Sequence, residues 1–228
     1  MNQITSLPLN RGYRQLSFLK REAVPETSNP WLLVLMHGVG SNESDLFGLA
    51  SSVPANFHVV SLRAPNVMGP GSYAWFMFGV SPQGERTINA AQEAESRQIL
   101  IETVTALSKE LGVPPERVVL GGFSQGGIMA LSLLLTQPGL MQGAMVMHSR
   151  LLSEVLPLMA EPAELMGKQL WVSAGIRDQV LPLAQSHIIR DRAQALPLRL
   201  RYTEFANAHE ITADELGQAM AWLGQISS

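Results

Sequence analysis

The chain has 228 residues, a formal net charge of -3 and no cysteine. That charge, with no lysine- or arginine-rich run, gives no basis for binding nucleic acid or an anionic membrane surface. The lack of cysteine excludes disulfides, thiolate metal sites and a cysteine nucleophile. Hydrophobic residues make up 46% of the chain and charged ones 15%, enough apolar material for one core and one α/β domain over residues 1–228.

Residues 1–10, MNQITSLPLN, lack the cationic start and apolar stretch of a secretory signal. No apolar run reaches the length of a membrane span. The expectation is a cytoplasmic protein without stable membrane insertion.

In chain order, Tyr13 to Lys20 alternates loosely between apolar and polar residues, which predicts an outer antiparallel strand. A loop over residues 24–30 leads to Trp31-Leu32-Leu33-Val34-Leu35-Met36, continuously apolar as a strand covered on both faces should be. His37-Gly38-Val39-Gly40 follows directly, and Asp45 to Ser52 reads as a short helix closed by Pro54. Phe57 to Leu62 is the next core strand, ending at Arg63-Ala64-Pro65. Val67 to Gly84 reads as one long loop containing Tyr73, Trp75, Phe76, Met77 and Phe78; loops of such length are commonly functional.

A long amphipathic helix is predicted over residues 88–111, stopped by Gly112 and Pro114. Further strands are expected at Val118–Gly122, Gly143–Met147, Gln169–Ala174 and Leu198–Phe205. Helices are expected at Ile128–Leu135, Leu183–Leu196 and Ile211–Ile226. Strands alternating with helices from Trp31 onward describe a mostly parallel sheet with helices on both faces.

The chemistry centres on Gly122-Phe123-Ser124-Gln125-Gly126, a G-x-S-x-G pattern between an apolar strand and an apolar helix. A serine at such a strained strand-to-helix turn needs neighbours without bulk, and glycines supply them. Ser124 is therefore the candidate nucleophile; the plain alternative is a glycine-rich turn with an incidental serine. A serine alone is a weak nucleophile and needs a base, an orienting acid and an oxyanion hole.

Ligands of open α/β sheets sit beyond the carboxyl ends of the strands, so partners should follow strands. His209 follows the last strand and Asp178 the strand before it, which gives the chain order Ser124, Asp178, His209 expected of an α/β-hydrolase triad. Read as ordinary residues, the two would simply cap loops. His148 also follows a strand and stands as the reserve base. His58 lies inside a strand and His187 mid-helix, while Asp191 and Asp214 read as solvated helix charges. Val39 and Gln125 are the candidate oxyanion donors, through their backbone N–H groups. His37 has no second ligand at metal spacing and is read as stabilising its turn. Trp75, Phe76 and Met77 are candidate substrate-binding residues, with plain packing as the alternative.

These stretches resemble the phospholipase/carboxylesterase family of α/β-hydrolases, which includes acyl-protein thioesterases and small bacterial carboxylesterases. The resemblance runs through His37-Gly38-Val39-Gly40, Arg63-Ala64-Pro65, Trp75-Phe76, the GFSQGG string at 122–127, Gly175-Ile176-Arg177-Asp178 with Pro182, and His209. It implies an α/β-hydrolase fold with little or no lid and hydrolysis of carboxylic or thioester bonds, with no metal or other cofactor. Met77-Phe78, Arg150 after Ser149, and Asn207-Ala208 before His209 depart from the usual family pattern, and all bear on the pocket rather than the triad. The expected substrate is a small or medium-chain carboxylic ester. The rivals are an acyl-protein or acyl-metabolite thioesterase or lysophospholipase, and a non-catalytic binding module of the same fold. Some relatives form dimers, so a homodimer stands beside a monomer among the expectations.

Overall fold

A computed structural model describes residues 4–6, 16–80, 83 and 86–228. Its centre is an eight-stranded sheet. In chain order the first elements are strands β1 (Ile4–Ser6), β2 (Ser17–Arg21) and β3 (Trp31–Met36), helix α1 (Glu43–Phe47) and strand β4 (Phe57–Leu62). Short strands β5 (Asn66–Gly69), β6 (Ser72–Ala74), β7 (Phe78–Val80) and β8 (Arg86–Ile88) come next, then helix α2 (Ala90–Glu110). Strand β9 (Val118–Phe123), helix α3 (Gln125–Thr136), and strands β10 (Gly143–Met147) and β11 (Gln169–Gly175) follow. Helix α4 (Leu183–Gln194), strand β12 (Arg199–Phe205) and helix α5 (Ala213–Ile226) complete the fold.

The sheet order is β1-β2-β4-β3-β9-β10-β11-β12. β1 and β2 pair antiparallel, as does β2 with β4, and all other pairs are parallel. From β3 the chain goes outward to β4 on one side and returns to β9 on the other. The β3/β9 boundary is thus a topological switch point, where diverging loops open a crevice beyond the carboxyl ends of the strands.

Apolar residues occupy both faces of the inner strands, as their unbroken apolar runs predict. Leu32, Val34, Met36, Val118, Leu120, Ala144, Val146, Leu170 and Val172 pack with Ile99, Leu100 and Val104 of α2, with α3 and with Ile189 of α4. Their alternates Leu33, Leu35, Val119, Met145 and Trp171 face Leu46 of α1 and Trp222 and Leu223 of α5. Every residue of α3 is buried, because it lies between the sheet and further elements. No helix among the described residues is long and apolar enough to cross a membrane.

Three expectations change. Of the predicted strand over residues 13–20, residues 13–15 lie outside the described residues, and β2 runs over Ser17–Arg21. The helix expected at 45–52 starts earlier, because the Asn42 side chain accepts from Ser44 N–H as its cap. It then divides into α1 and a 3₁₀ turn, Ala50–Ser52, as the Gly48, Leu49 and Ser52 N–H groups bond three residues back. In place of the loop expected over 67–84 stand two antiparallel ribbons, β5–β6 and β7–β8, the second reaching Ile88, so that the helix expected from Ile88 starts at Ala90. The first turns at Pro70-Gly71, where Gly71 has φ +67°; strands this short carry too little alternation to register as strands.

Arg63, at the end of β4, makes a two-pronged ion pair with the buried Glu43 and lies 4.8 Å from the Tyr73 ring centroid. Burial pushes the Glu43 carboxyl up, but the Arg63 hydrogen bond and charge, together with a backbone hydrogen bond at Glu43, outweigh it and hold the group below the usual range. Arg63→Met is expected to cost about 2 kcal/mol at pH 7, since it strands a buried carboxylate. A depressed folded-state pKa contributes stability above the unfolded value, lost as pH falls through the folded one. The gap between variant and wild type in urea melts should therefore narrow from pH 7 to about pH 3.

Candidate active site

β9 ends in Gly121-Gly122-Phe123, and Ser124 sits between strand and helix at φ 54° and ψ -116°. No ordinary strand or helix residue has these angles, and the fit around the turn explains how they persist. A Cβ on Gly122 would come within 2.2 Å of the Gly126 carbonyl carbon, and one on Gly126 within 1.8 Å of the Met36 carbonyl oxygen. The turn thus closes onto itself and onto the end of β3. Ser124 N–H donates to Met147 O at 2.9 Å, while its carbonyl accepts from Ile128 N–H and from the Ser149 hydroxyl. These bonds hold the strained residue in place.

The loops after β11 and β12 bring the other candidates to this serine. His209 Nε2 lies 3.0 Å from Ser124 Oγ, and His209 Nδ1 lies 2.6 Å from Asp178 Oδ2. Asp178 Oδ1 accepts from the Val180 and Leu181 N–H groups, both at 2.8 Å. Burial pushes the Asp178 carboxyl up, but His209, Leu181 N–H and His148 outweigh it and hold the group below the ordinary range. The two loops are tied by Ile176 N–H to Phe205 O and Arg177 N–H to Asn207 O. Gly175 permits that approach, since a Cβ there would meet the Ala208 carbonyl oxygen at 2.4 Å.

The loop after β3 reaches the same place, where a Cβ on Gly38 would stand 3.5 Å from Ser124 Cβ. Neither Val39 N–H nor Gln125 N–H has a hydrogen-bond partner among the described residues. Both are thus available as donors, Gln125 N–H at the start of α3. His37 fills the turn-stabilising role. Its Nδ1 donates to Gly38 O at 2.7 Å and its Nε2 accepts from Ala64 N–H at 3.1 Å. Burial lowers the His37 pKa, which keeps the ring neutral for that pattern.

Trp75 and Phe76 are both fully buried. The Gln125 side chain clamps them, with Oε1 accepting from Trp75 N–H at 2.8 Å and Nε2 donating to Phe76 O at 2.6 Å. Trp75 Nε1–H donates to His37 O at 3.0 Å, joining this segment to the β3 loop. Met77 is half-buried and Phe78 exposed.

His148 is fully buried behind Asp178, with Nδ1 at 3.1 Å from Asp178 Oδ2. It takes the second place on that carboxylate, whereas His209 takes the place at the serine. His58 Nδ1 accepts from Ala23 N–H, and His187 pairs with Glu204 on the surface. His148, Asp178 and His209 present ligand-type atoms within 4.8 Å of one another. Asp178 meets four N–H donors there, so the cluster is internally hydrogen-bonded.

Nothing in the sequence alone marks Glu215 as part of this site. Its carboxylate is fully buried and bonds His148 Nε2, Ser173 Oγ and Asn207 Nδ2. Thr212-Ala213-Asp214-Glu215 matches a capping box, which locally explains a glutamate. The available signal was its position on the buried stripe of α5 with Ala219, Trp222 and Leu223.

Comparison with known proteins agrees with this architecture. The model of the phospholipase/carboxylesterase family matches residues 22–227. The esterase YpfH of Escherichia coli (strain K12) is 31% identical over 131 residues, covering 55% of either chain. The match thus spans little more than half the length of that relative. The putative hydrolase MhqD of Bacillus subtilis (strain 168) is 24% identical over 199 residues, 84% of this chain and 91% of that one. The Bacillus cereus carboxylesterase structure superposes with a TM-score of 0.79 at 24% identity, covering 92% of this chain and 94% of its own. A family match over nearly the whole chain, on a sheet with this strand order and elbow, means that the protein belongs to the phospholipase/carboxylesterase family of α/β-hydrolases.

Proposed function

We propose that the protein is a serine carboxylesterase acting on small or medium-chain carboxylic esters through Ser124, His209 and Asp178. The observation that carries this reading is the linear chain Ser124 Oγ to His209 Nε2 at 3.0 Å and His209 Nδ1 to Asp178 Oδ2 at 2.6 Å. In this reading Ser124 Oγ attacks the acyl carbonyl carbon while His209 Nε2 takes its proton. The carbonyl oxygen gains negative charge and accepts from Val39 and Gln125 N–H. As the C–O bond to the alcohol breaks, His209 returns the proton to the leaving oxygen and leaves Ser124 acylated. Water then gives a proton to His209, attacks the acyl carbon and frees the acid, and the proton returns to Ser124. Asp178, ionised throughout, fixes Nδ1–H toward itself and supports the imidazolium.

The family membership and the esterase relatives support a hydrolase, and the half-buried Met77 with exposed Phe78 suits an apolar acyl group of modest length. The test is hydrolysis of p-nitrophenyl esters from acetate to palmitate, with a matched acyl thioester beside them and fluorophosphonate labelling of Ser124. Labelling with a kcat/KM maximum at short or medium chains is expected. A thioester preferred over its matched ester would replace this reading with the thioesterase one. An unlabelled, folded protein with no turnover would mean a binding module.

A further inference from the structure

Asp178 is shared by two histidines. His209 Nδ1 meets Oδ2 on the serine side, and His148 Nδ1 meets the same oxygen at 3.1 Å from behind. The other nitrogen of His148, Nε2, lies 3.1 Å from Glu215 Oε2. Both ring nitrogens of a fully buried histidine therefore face carboxylate oxygens, and each such contact needs an N–H.

The protons can be assigned from the remaining partners. Asp178 receives donors at both oxygens, from His209 and His148 at Oδ2 and from Val180 and Leu181 N–H at Oδ1. Glu215 receives Ser173 Oγ–H at Oε1, 2.6 Å away, and Asn207 Nδ2–H at Oε2, 3.1 Å away. With donors already on both oxygens of each carboxylate, hydrogen-bond complementarity assigns the two protons between them to the His148 ring.

We propose that His148, held as an imidazolium between Asp178 and Glu215, is a positioning residue that aims Asp178 at His209 and extends catalysis to lower pH. The proposal rests on the triad reading of Ser124, His209 and Asp178.

The charged and titratable groups facing the His148 ring are Asp178 after β11, His209 after β12 and Glu215 from α5, while β9 contributes the uncharged Phe123 ring at 5.5 Å. The ring centroids of His148 and His209 stand 5.8 Å apart. A cation at that distance works against a second positive charge beside it, a Coulomb effect large enough to be read in a pH profile. Burial alone would discharge His148, but Glu215 and then Asp178 outweigh it and raise its pKa. The backbone also points to a built feature. His148 has φ 47°, and with Ser124 it is one of two non-glycine residues with positive φ among the described residues. A buried left-handed histidine persists only where its surroundings over-determine it, here through its N–H bond to Ser173 O and its two carboxylates.

The test uses the full chain. Glu215→Gln keeps the side-chain volume, and its amide can donate to Nε2, which leaves His148 neutral with Nδ1–H still on Asp178. The acid limb of the kcat/KM profile should then move up by about one pH unit, the far carboxylate being lost with the near cation. His148→Gln should move the limb in the same direction. Ring ¹⁵N NMR of the wild type at pH 7 should show His148 protonated on both nitrogens, a readout that requires no variant to fold. A singly protonated His148 ring, or an unmoved acid limb in folded Glu215→Gln and His148→Gln proteins, overturns the proposal. Failure of the triad reading shows separately, as turnover that survives Ser124→Ala.

Discussion

Ser124→Ala is expected to lower kcat on the best p-nitrophenyl ester by about 10⁴- to 10⁶-fold, with the protein still folded. The size follows from what is removed. Without Oγ there is no acyl-enzyme, and His209 and Asp178 are left with no nucleophile to activate. Residual hydrolysis would come from substrate held near the Val39 and Gln125 N–H groups. Stopped assays with long incubations should separate that residue from contaminating esterase. Folding should survive, because among the described residues Ser124 Oγ bonds only His209, while the backbone bonds at Ser124 are independent of the side chain. Turnover within tenfold of wild type in the purified variant would sink the nucleophile assignment.

The second large effect is on stability. Gly126→Ala places a Cβ 1.8 Å from the Met36 carbonyl oxygen and 2.4 Å from its carbon. Both neighbours are backbone, so nothing flexible can yield. Relief requires α3 to move away from the end of β3, and that helix is buried along its whole length. The expected cost is about 4 kcal/mol or more, at the upper end of single substitutions. In a chain of this size that is a fall of about 10 °C in Tm, measurable by calorimetry. Gly121 is the contrast within the same turn. Its Cβ would meet Met145 Cε at 2.9 Å and Leu35 Cδ2 at 3.0 Å, both ends of flexible side chains. Gly121→Ala should therefore cost clearly less than Gly126→Ala. Equal melting temperatures for the two variants would show that the elbow is not closed by these contacts.

The same contrast separates what was legible in the sequence. Strands β3 and β10 run over the residues that their apolar runs mark, because a fully covered strand leaves no polar alternation. The elbow was legible because steric demand there falls on the glycines at 122 and 126, which a five-residue pattern records. The ribbons of residues 66–88 were not, since strands of three or four residues have no periodicity to read.

Within the candidate site, chain order and strand ends pointed to Ser124, Asp178 and His209 as neighbours, and their contacts follow from loops leaving β9, β11 and β12 at one end of the sheet. Sequence left His148 open as a reserve base and read α5 as an ordinary amphipathic helix. Only the tertiary structure puts His148 behind Asp178 and brings Glu215 across from α5, a separation of 67 residues. It likewise turns the Gln125 side chain into a clamp on Trp75 and Phe76. The physical reason is the same in each case. Backbone sterics and burial periodicity are local and leave a pattern in the chain, whereas a buried polar partner is chosen by which loops and helices meet over the sheet, and that is settled only when they pack.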